Sequence, residues 1–134
     1  MANEQHDLNH NMRLRISFCA YRHEIIIGKH VVRIFNSPAY MCFRVSKNRD
    51  SIIVFPCSRE DVLAFMVPPN LFTKPGRLYR IISKAFVDEL CSYNNLDINT
   101  NYSVPGKYDE KSNVAVFNLI DAHEATLGKG EENA

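Results

Sequence analysis

The side chains in this sequence that are best suited to chemistry are its cations, which are concentrated in the first two thirds of the chain. From Arg13 to Lys84 there are 13 basic residues and four acidic ones, a net charge of +9, and from Ala85 onward the net charge is −6. This segregation favours a surface that binds a polyanion or an acidic partner. It is equally compatible with two halves of one fold, or two subunits of a homo-oligomer, that neutralise each other.

Eight of the cations fall between residues 13 and 49 and are interspersed with aromatic residues. Cationic groups neutralise phosphates, and aromatic rings stack on bases. A sheet face shared by Arg13, Arg15 and Arg44 would therefore form a nucleic-acid surface, with Tyr40 available for stacking. The alternative is an ordinary solvated sheet face with Tyr40 in the core. The candidate nucleic-acid-binding residues are Arg13, Arg15, Arg22, Lys29, Arg33, Arg44, Lys47, Arg49 and Tyr40.

Other residue types give weaker indications of chemistry. His6 and His10 have a spacing that could place two metal ligands on one helix face, but their polar surroundings predict a solvated tail instead. No glycine-rich phosphate-binding motif occurs. A small hydrolase or transferase built around Cys57 or His23 is the weakest alternative, because no flanking signature supports a Cys/His pair. We therefore expect a protein that is not an enzyme and that binds no metal or cofactor.

The four cysteines, at positions 19, 42, 57 and 91, are widely spaced and form no C-x-x-C pair. The N-terminal residues lack the basic and apolar regions of a signal peptide, and no apolar run is long enough to span a membrane. Scattered cysteines without a secretory signal are typical of buried free thiols in a reducing compartment. The sequence thus predicts a cytoplasmic protein with no membrane partner.

Two related segments predict the elements that must position these side chains. Ile26–Phe35 reads I-I-G-K-H-V-V-R-I-F, and Arg80–Leu90 reads R-I-I-S-K-A-F-V-D-E-L. A shift of 55 residues aligns five apolar residues of the first segment with apolar residues of the second, namely Ile26, Ile27, Val31, Val32 and Phe35 with Ile81, Ile82, Phe86, Val87 and Leu90. Each segment predicts a strand followed by a helix, with Gly28 at the N-cap of the first helix and Ser83 at the N-cap of the second. Asn94-Asn95 predicts a left-handed end for the second helix.

Around these segments the sequence predicts a single α+β domain over residues 12–120. It would consist of duplicated β-α-β-β(-β) units, spanning residues 24–67 and 78–119, in a mostly antiparallel sheet with two short helices. The joint between the units is the proline- and glycine-containing stretch Asn70–Gly76.

The remaining boundaries follow from polar and proline-containing stretches. Residues 1–11 are expected to form a disordered leader, and residues 121–134 a flexible acidic tail. A first hairpin is expected from Tyr40–Ser46 and Ser51–Phe55, with Pro56 ending its second strand. A second hairpin is expected from Tyr102–Val104 and Val114–Leu119, with Pro105–Asn113 forming a long tip.

The duplicated pattern resembles a single domain of the DNA sliding clamps. The matching residues are Ile26-Ile27-Gly28-Lys29 with Val31, Val32 and Phe35, and Ile81-Ile82-Ser83-Lys84 with Phe86, Val87 and Leu90. The resemblance covers about Glu24 to Leu119 and implies internal two-fold symmetry, with sheets outside and helices lining a DNA channel. Lys29 and Arg33 would suit such a channel, whereas the acidic pair on the second helix would repel phosphates.

The charge segregation and the repeat together favour a non-enzymatic, DNA-associated or regulatory binding protein. Its basic surface would lie in the N-terminal half of the chain. The alternative is a protein–protein interaction module that uses a sheet edge or a groove beside Pro68-Pro69. Salt dependence separates the two, because phosphate contacts weaken steeply with salt and apolar contacts do not.

Overall fold

The computed structural model describes residues 14–125 of the chain. The predicted leader (residues 1–11), the candidate Arg13 and the last nine residues of the predicted tail lie outside the described residues. The paired histidines His6 and His10 also lie outside them.

Nine strands and two α-helices make up the described chain. In order they are β1 (Leu14–Cys19), β2 (Glu24–Ile27), α1 (Lys29–Ile34), β3 (Tyr40–Val45), β4 (Ser51–Cys57), β5 (Ala64–Met66), β6 (Tyr79–Ile82), α2 (Lys84–Asn94), β7 (Asn101–Asp109), β8 (Val114–Asn118) and β9 (His123–Glu124). Short 3-10 turns at Ala20–Arg22 and Leu119–Asp121 complete the regular structure.

All nine strands belong to one sheet in which every paired neighbour is antiparallel. The strand order is β5-β3-β4-β8-β7-β1-β2-β6, and β9 adds to β7. The two edge strands, β5 and β6, approach each other, because the Tyr79 hydroxyl on β6 donates a 2.9 Å hydrogen bond to the Phe65 carbonyl on β5. The sheet therefore curls into a nearly closed barrel, and the predicted antiparallel sheet with two helices is confirmed.

Alternation along the strands separates an apolar interior from an outer face. In β1, for example, Leu14, Ile16 and Phe18 are buried, whereas Arg15 and Ser17 are half-buried. Successive side chains of a strand point to opposite faces, so the buried set faces into the barrel. Residues from all the strands except β9 contribute to one continuous core, in which Tyr79 and Phe117 are among the largest fully buried side chains.

The two helices lie at opposite ends of the barrel along the direction of the strands. Each helix follows directly on one of two neighbouring antiparallel strands, α1 on β2 and α2 on β6. The Ser83 side chain caps α2 by accepting a hydrogen bond from the Phe86 amide, and Asn95 ends the helix in the left-handed conformation, both as predicted. Gly28 occupies the N-cap of α1, also as predicted.

Two prolines lie within strands, at positions where the sequence predicts a strand end and a hairpin tip. β4 continues through Pro56 to Cys57, and β7 continues through Pro105 and Gly106. At Gly106 the Phe117 ring packs so closely against the backbone that a Cβ atom would overlap it, so only glycine fits there. The hairpin tip shrinks to the four residues 110–113. Residues 123 and 124, within the predicted tail, pair with β7 as β9.

Candidate functional site

A groove opens where the barrel is incompletely closed, between β5 and β6. Its volume is about 540 Å³. Three cationic side chains and no acidic ones are among its lining residues, which are Met66, Pro68, Pro69, Lys74, Pro75, Gly76, Arg77, Leu78, Tyr79 and Arg80. We call this feature the seam groove. It combines a concave shape with a single sign of charge, which concentrates anions.

The segment 67–78 builds most of the seam groove as a series of turns. Its backbone hydrogen bonds run from the Leu71 amide to the Pro68 carbonyl and from the Lys74 amide to the Asn70 carbonyl, at 3.1 and 3.0 Å. Leu71 is buried in the core and anchors the segment to the barrel. The groove wall is therefore an ordered structure even though it contains no helix or strand.

Lys74 and Arg77 flank one β-turn. The Arg77 amide donates a 3.2 Å hydrogen bond to the Lys74 carbonyl, and Gly76 has a φ of +76°. Proline before a positive-φ glycine is the signature of a type II turn, in which the first and last Cα atoms lie within about 7 Å. The turn therefore holds two cationic residues near each other at the groove with little backbone freedom.

The third cation of the seam groove, Arg80, is partly neutralised. Its Nη1 atom lies 3.4 Å from Oε2 of Glu24, a buried carboxylate on the neighbouring strand β2. Lys74 and Arg77, by contrast, are exposed and form no salt bridge within residues 14–125. The two turn residues are thus the cations most available to an anionic ligand.

The same segment reaches α1 through an aromatic side chain. The Arg33 guanidinium lies 4.5 Å from the centroid of the Phe72 ring, which is a cation–π distance. Phe72 is 38% exposed. This contact places one of the predicted residues, Arg33, against the segment that forms the groove wall.

The predicted basic residues do not form a single surface. Lys29 and Arg33 lie on α1, whereas Arg22 lies in the 3-10 turn that contacts α2 at the other end of the sheet. Arg15 points outward from β1 and Arg44 outward from β3, two strands separated by three others. Because the sheet is nearly closed, β1 and β3 lie on opposite sides of the barrel.

Several of these cations already have partners within the fold. Arg49 donates a 2.8 Å hydrogen bond from Nε to Glu89 on α2, and its guanidinium lies 4.6 Å from the Tyr93 ring centroid. The Glu89 hydrogen bond raises the pKa of Arg49 above its ordinary value. Arg44 lies over the Phe55 ring, and Arg22 over the Tyr21 ring. Lys47 is exposed in the turn between β3 and β4, and Tyr40 is half-buried on β3.

None of the predicted nucleic-acid-binding residues within the described part of the chain lines the seam groove. The stretch Asn70–Gly76 has the composition of an ordinary connection between units, so its sequence does not indicate a binding site. A signal is nonetheless present in the sequence, since Lys74 and Arg77 flank Pro75-Gly76. What the sequence does not reveal is that this turn lies beside the free edges of the sheet. That placement depends on the pairing of distant strands.

His23 and Cys57, the residues considered for enzyme chemistry, each lie beside other polar side chains. Nε2 of His23 lies 3.5 Å from Oδ1 of Asp88 on α2. Burial, together with the neighbouring Cys42 and Asp61, raises the pKa of the Cys57 thiol to about 12. A thiol with this pKa is protonated at neutral pH and is a poor nucleophile. Cys19, Cys42 and Cys91 are buried, Cys57 is half-buried, and all four are free thiols.

Within residues 14–125 there is no helix with the length and apolar character needed to cross a membrane. Comparison with protein-family models, curated proteins and solved structures found no match for this chain.

Proposed function

We propose that this protein is a non-enzymatic DNA-binding protein whose main phosphate-contacting surface is the seam groove. The observation that carries the proposal is the lining of the groove, in which every charged side chain is cationic. A DNA strand presents regularly spaced negative charges, and a groove lined by one sign of charge tracks such a backbone. The proposal moves the basic surface predicted in the N-terminal half to the segment between β5 and β6.

The turn that carries Lys74 and Arg77 supports this role. Both side chains are exposed, and the turn between them is held by Pro75 and Gly76. A rigid turn loses little conformational entropy when a ligand binds, so more of the phosphate interaction appears as affinity. Phe72, partly exposed beside Arg33, adds an aromatic face on which an unpaired base can stack.

A duplication is also part of the proposal. The strand order supports units that begin at β1 and β5, so β5 opens the second unit, whereas the predicted bounds 24–67 and 78–119 place it at the end of the first. Exchanging β1 with β5, β2 with β6, β3 with β7 and β4 with β8 leaves the order of strands around the barrel unchanged. The helices obey the same exchange, since α1 follows β2 and α2 follows β6. An experimental structure in which residues 24–57 fail to superpose on residues 79–118 would exclude the duplication.

Within the proposed duplication, the seam groove lies where the two units differ. A short 3-10 turn connects β1 to β2, and these two strands pair along four residues. The corresponding strands β5 and β6 are separated by the longer segment 67–78 and have no ladder pairing with each other within the described residues. The added segment therefore opens the barrel and supplies the cations at the same place.

The proposed binding surface differs from the channel of the sliding clamps, which is lined by helices. Here α1 and α2 lie at opposite ends of one sheet, and the exposed side of α2 carries Asp88 and Glu89. We therefore assign DNA contact to the groove and not to a helical channel.

The second candidate function is binding of a protein partner at the same seam. Pro68 and Pro69 line the groove, and the apolar side chains Met66 on β5 and Ile82 on β6 are 58% and 71% exposed. Free strand edges beside exposed apolar side chains are suited to strand addition by a peptide. Such an interaction would depend on apolar contact and backbone hydrogen bonds, so it would be insensitive to salt.

The test is a salt titration of DNA binding by the full-length protein, with fluorescent single-stranded and duplex oligonucleotides. We expect binding at roughly 50 mM salt, with a log–log slope of about 0.7–0.9 for each phosphate contacted. The double variant Lys74→Ala, Arg77→Ala should bind about tenfold more weakly, because two exposed ion pairs contribute up to about 1 kcal/mol each. The slope should also decrease by about 1 for each phosphate that the variant no longer neutralises.

Two matched double variants remove the same charge elsewhere. Lys107→Ala, Lys111→Ala alters the exposed side of β7 and the following turn, and Arg44→Ala, Lys47→Ala alters the β3 surface predicted from the sequence. The proposal requires the groove variant to lose more affinity than either control. Equal losses in all three variants would show nonspecific attraction, and absence of binding by the wild type at low salt would overturn the proposal.

A further inference from the structure

Two cysteines and an aspartate form a cluster on the outer face of the sheet. The Sγ atoms of Cys42 and Cys57 and a carboxylate oxygen of Asp61 all lie within 4.8 Å of one another. Cys42 is buried, Cys57 is half-buried and Asp61 is exposed. The cluster therefore has a protected inner side and an open outer side.

Strand pairing brings the two thiols together. In the β3–β4 ladder Cys42 lies opposite Phe55, and Cys57 lies opposite Tyr40. The cysteines are thus diagonal neighbours on the same face of the sheet. This placement depends on the continuation of β4 through Pro56, which carries Cys57 past the strand end that the sequence predicts.

The turn after β4 returns the carboxylate to the thiols. The Asp61 amide donates a 3.1 Å hydrogen bond to the Ser58 carbonyl, which closes the turn. The Ser58 amide in turn donates to Oδ2 of Asp61 at 2.9 Å. A hydrogen bond of this kind orients the carboxylate and leaves its other oxygen free to coordinate a metal ion. Carboxylates that bind metal ions are commonly held in this way.

We propose that Cys42, Cys57 and Asp61 form a Zn²⁺ site with three protein ligands and one open coordination position. Thiolate and carboxylate oxygen are both common zinc ligands. A divalent cation displaces the thiol protons when it binds, so the protonated state of Cys57 in the metal-free fold does not prevent ligation. Bond lengths of about 2.3 Å to sulfur and about 2.0–2.2 Å to oxygen place the two sulfur atoms and the oxygen of a tetrahedral site about 3.5–3.8 Å apart. The present separations, all within 4.8 Å, are close to these distances.

A disulfide between the two cysteines fits the ladder less well than a shared metal ion. Residues on the diagonal of an antiparallel pair have Cβ atoms somewhat less than about 7–8 Å apart. A disulfide requires a Cβ separation of about 3.5–4.5 Å, which would distort the β3–β4 pairing. A metal ion between the sulfur atoms bridges the longer distance. The ion would also tie the turn after β4, and thereby the start of β5, to the barrel.

Cobalt binding tests the site directly, because tetrahedral Co²⁺ with thiolate ligands has visible and charge-transfer absorption that oxygen ligands do not produce. Titration of the reduced, full-length protein should give these bands with saturation at one equivalent, and Zn²⁺ should displace the cobalt. Cys42→Ser, Cys57→Ser and Asp61→Asn should each reduce affinity by about tenfold or more. Cys19→Ser and Cys91→Ser remove buried thiols outside the cluster and should bind as the wild type does.

The Asp61→Asn variant keeps the test informative if a cysteine variant fails to fold, because Asp61 is exposed and its replacement leaves the core intact. Thermal unfolding gives an independent readout, since Zn²⁺ should raise the Tm of the wild type and not that of Asp61→Asn. Absence of thiolate–cobalt bands in the wild type would overturn the proposal. Bands that persist in the Cys42→Ser, Cys57→Ser double variant would do the same, since the ligands would then lie elsewhere.

Discussion

At the scale of single residues, Asp88 has the most informative electrostatic environment. It accepts a 2.8 Å hydrogen bond from Nζ of Lys84, one turn earlier on α2, and lies 3.5 Å from Nε2 of His23. The Lys84 hydrogen bond in particular lowers the pKa of Asp88 below its ordinary value of 3.8. A carboxyl group with a lowered pKa in the folded state stabilises the fold when ionised, and this stabilisation is lost on acidification.

The first prediction concerns this carboxylate and pH. The wild type should be more stable than Asp88→Asn above about pH 4, and the difference should shrink as the pH falls through the lowered pKa of Asp88. Chemical unfolding at a series of pH values measures it. In a Lys84→Ala background the effect of Asp88→Asn should be smaller, because the main partner is missing. A stability difference that grows on acidification would contradict a lowered pKa of Asp88.

The sequence-based predictions that are wrong at the residue scale lie at prolines and glycines. Pro105-Gly106 is typical of a turn, yet it lies within β7, where the Phe117 ring packs against the Gly106 backbone. That ring belongs to the next strand, so no local pattern around Gly106 reveals the contact. By contrast, the left-handed helix end at Asn95 is predictable, because such an end depends only on neighbouring residues.

At the scale of elements, α2 depends on its cap. The Oγ atom of Ser83 accepts a 3.3 Å hydrogen bond from the Phe86 amide, and the helix buries Val87, Leu90 and Cys91. Ser83→Ala should therefore reduce the free energy of unfolding by about 0.5–2 kcal/mol. Ser83→Gly should cost only a few tenths of a kcal/mol relative to serine. Urea unfolding monitored by circular dichroism distinguishes the two.

The exposed Ser92 on the same helix provides a control for this prediction. Within the described residues its side chain makes no hydrogen bond, and it lies in the last turn of the helix. Ser92→Ala should leave stability unchanged or raise it slightly, because alanine has the higher helix propensity. Equal losses for Ser83→Ala and Ser92→Ala would show that the cap contributes nothing.

Elements with strong local signals are predictable from the sequence, and the functional segment is not. The segment Glu24–Ile27 and the cap at Ser83 follow from apolar patterning and helix-capping chemistry. The turns of residues 67–78 carry proline and glycine signals that are typical of any connection. Their importance comes from their location beside β5 and β6, which only the three-dimensional pairing defines.

At the scale of the whole molecule, the side chain of Tyr79 links the two edge strands of the barrel at the seam. Tyr79 packs its ring near Phe43, at a centroid distance of 6.2 Å, and its hydroxyl bonds to the Phe65 carbonyl at 2.9 Å. Burial raises the pKa of this hydroxyl well above its ordinary value, so the hydroxyl remains a donor at physiological pH. The edge strands meet here without a backbone ladder.

Tyr79→Phe should keep the ring packing and remove the seam hydrogen bond. We expect the free energy of unfolding to fall by about 0.5–1.5 kcal/mol, with faster hydrogen exchange at the amides of β5 than elsewhere in the sheet. Tyr21→Phe alters an exposed tyrosine whose hydroxyl makes no hydrogen bond within the described residues, and it should change neither measurement. Uniformly faster exchange in Tyr79→Phe would show a global loss of stability without a local role at the seam.

At this largest scale the sequence supports the class of fold but not its closure. Alternating apolar residues and two capped helices predict an antiparallel sheet with helices, and the structure has both. The neighbours of each strand are set by contacts between distant residues, for which a single sequence offers no pattern. Arg15 and Arg44 illustrate the result, because both point outward but from opposite sides of the barrel.

The position of β1 has a consequence for synthesis on the ribosome. β1 lies between β2 and β7, and Ile16 pairs with Val104, near the other end of the described chain. At roughly 5–20 residues per second, β1 emerges on the order of 4–18 s before its second neighbour is translated. Until then the β1–β2 hairpin presents an unpaired edge to other nascent chains. A chain truncated before β7 would keep that edge permanently open and would be a target for chaperones or proteases.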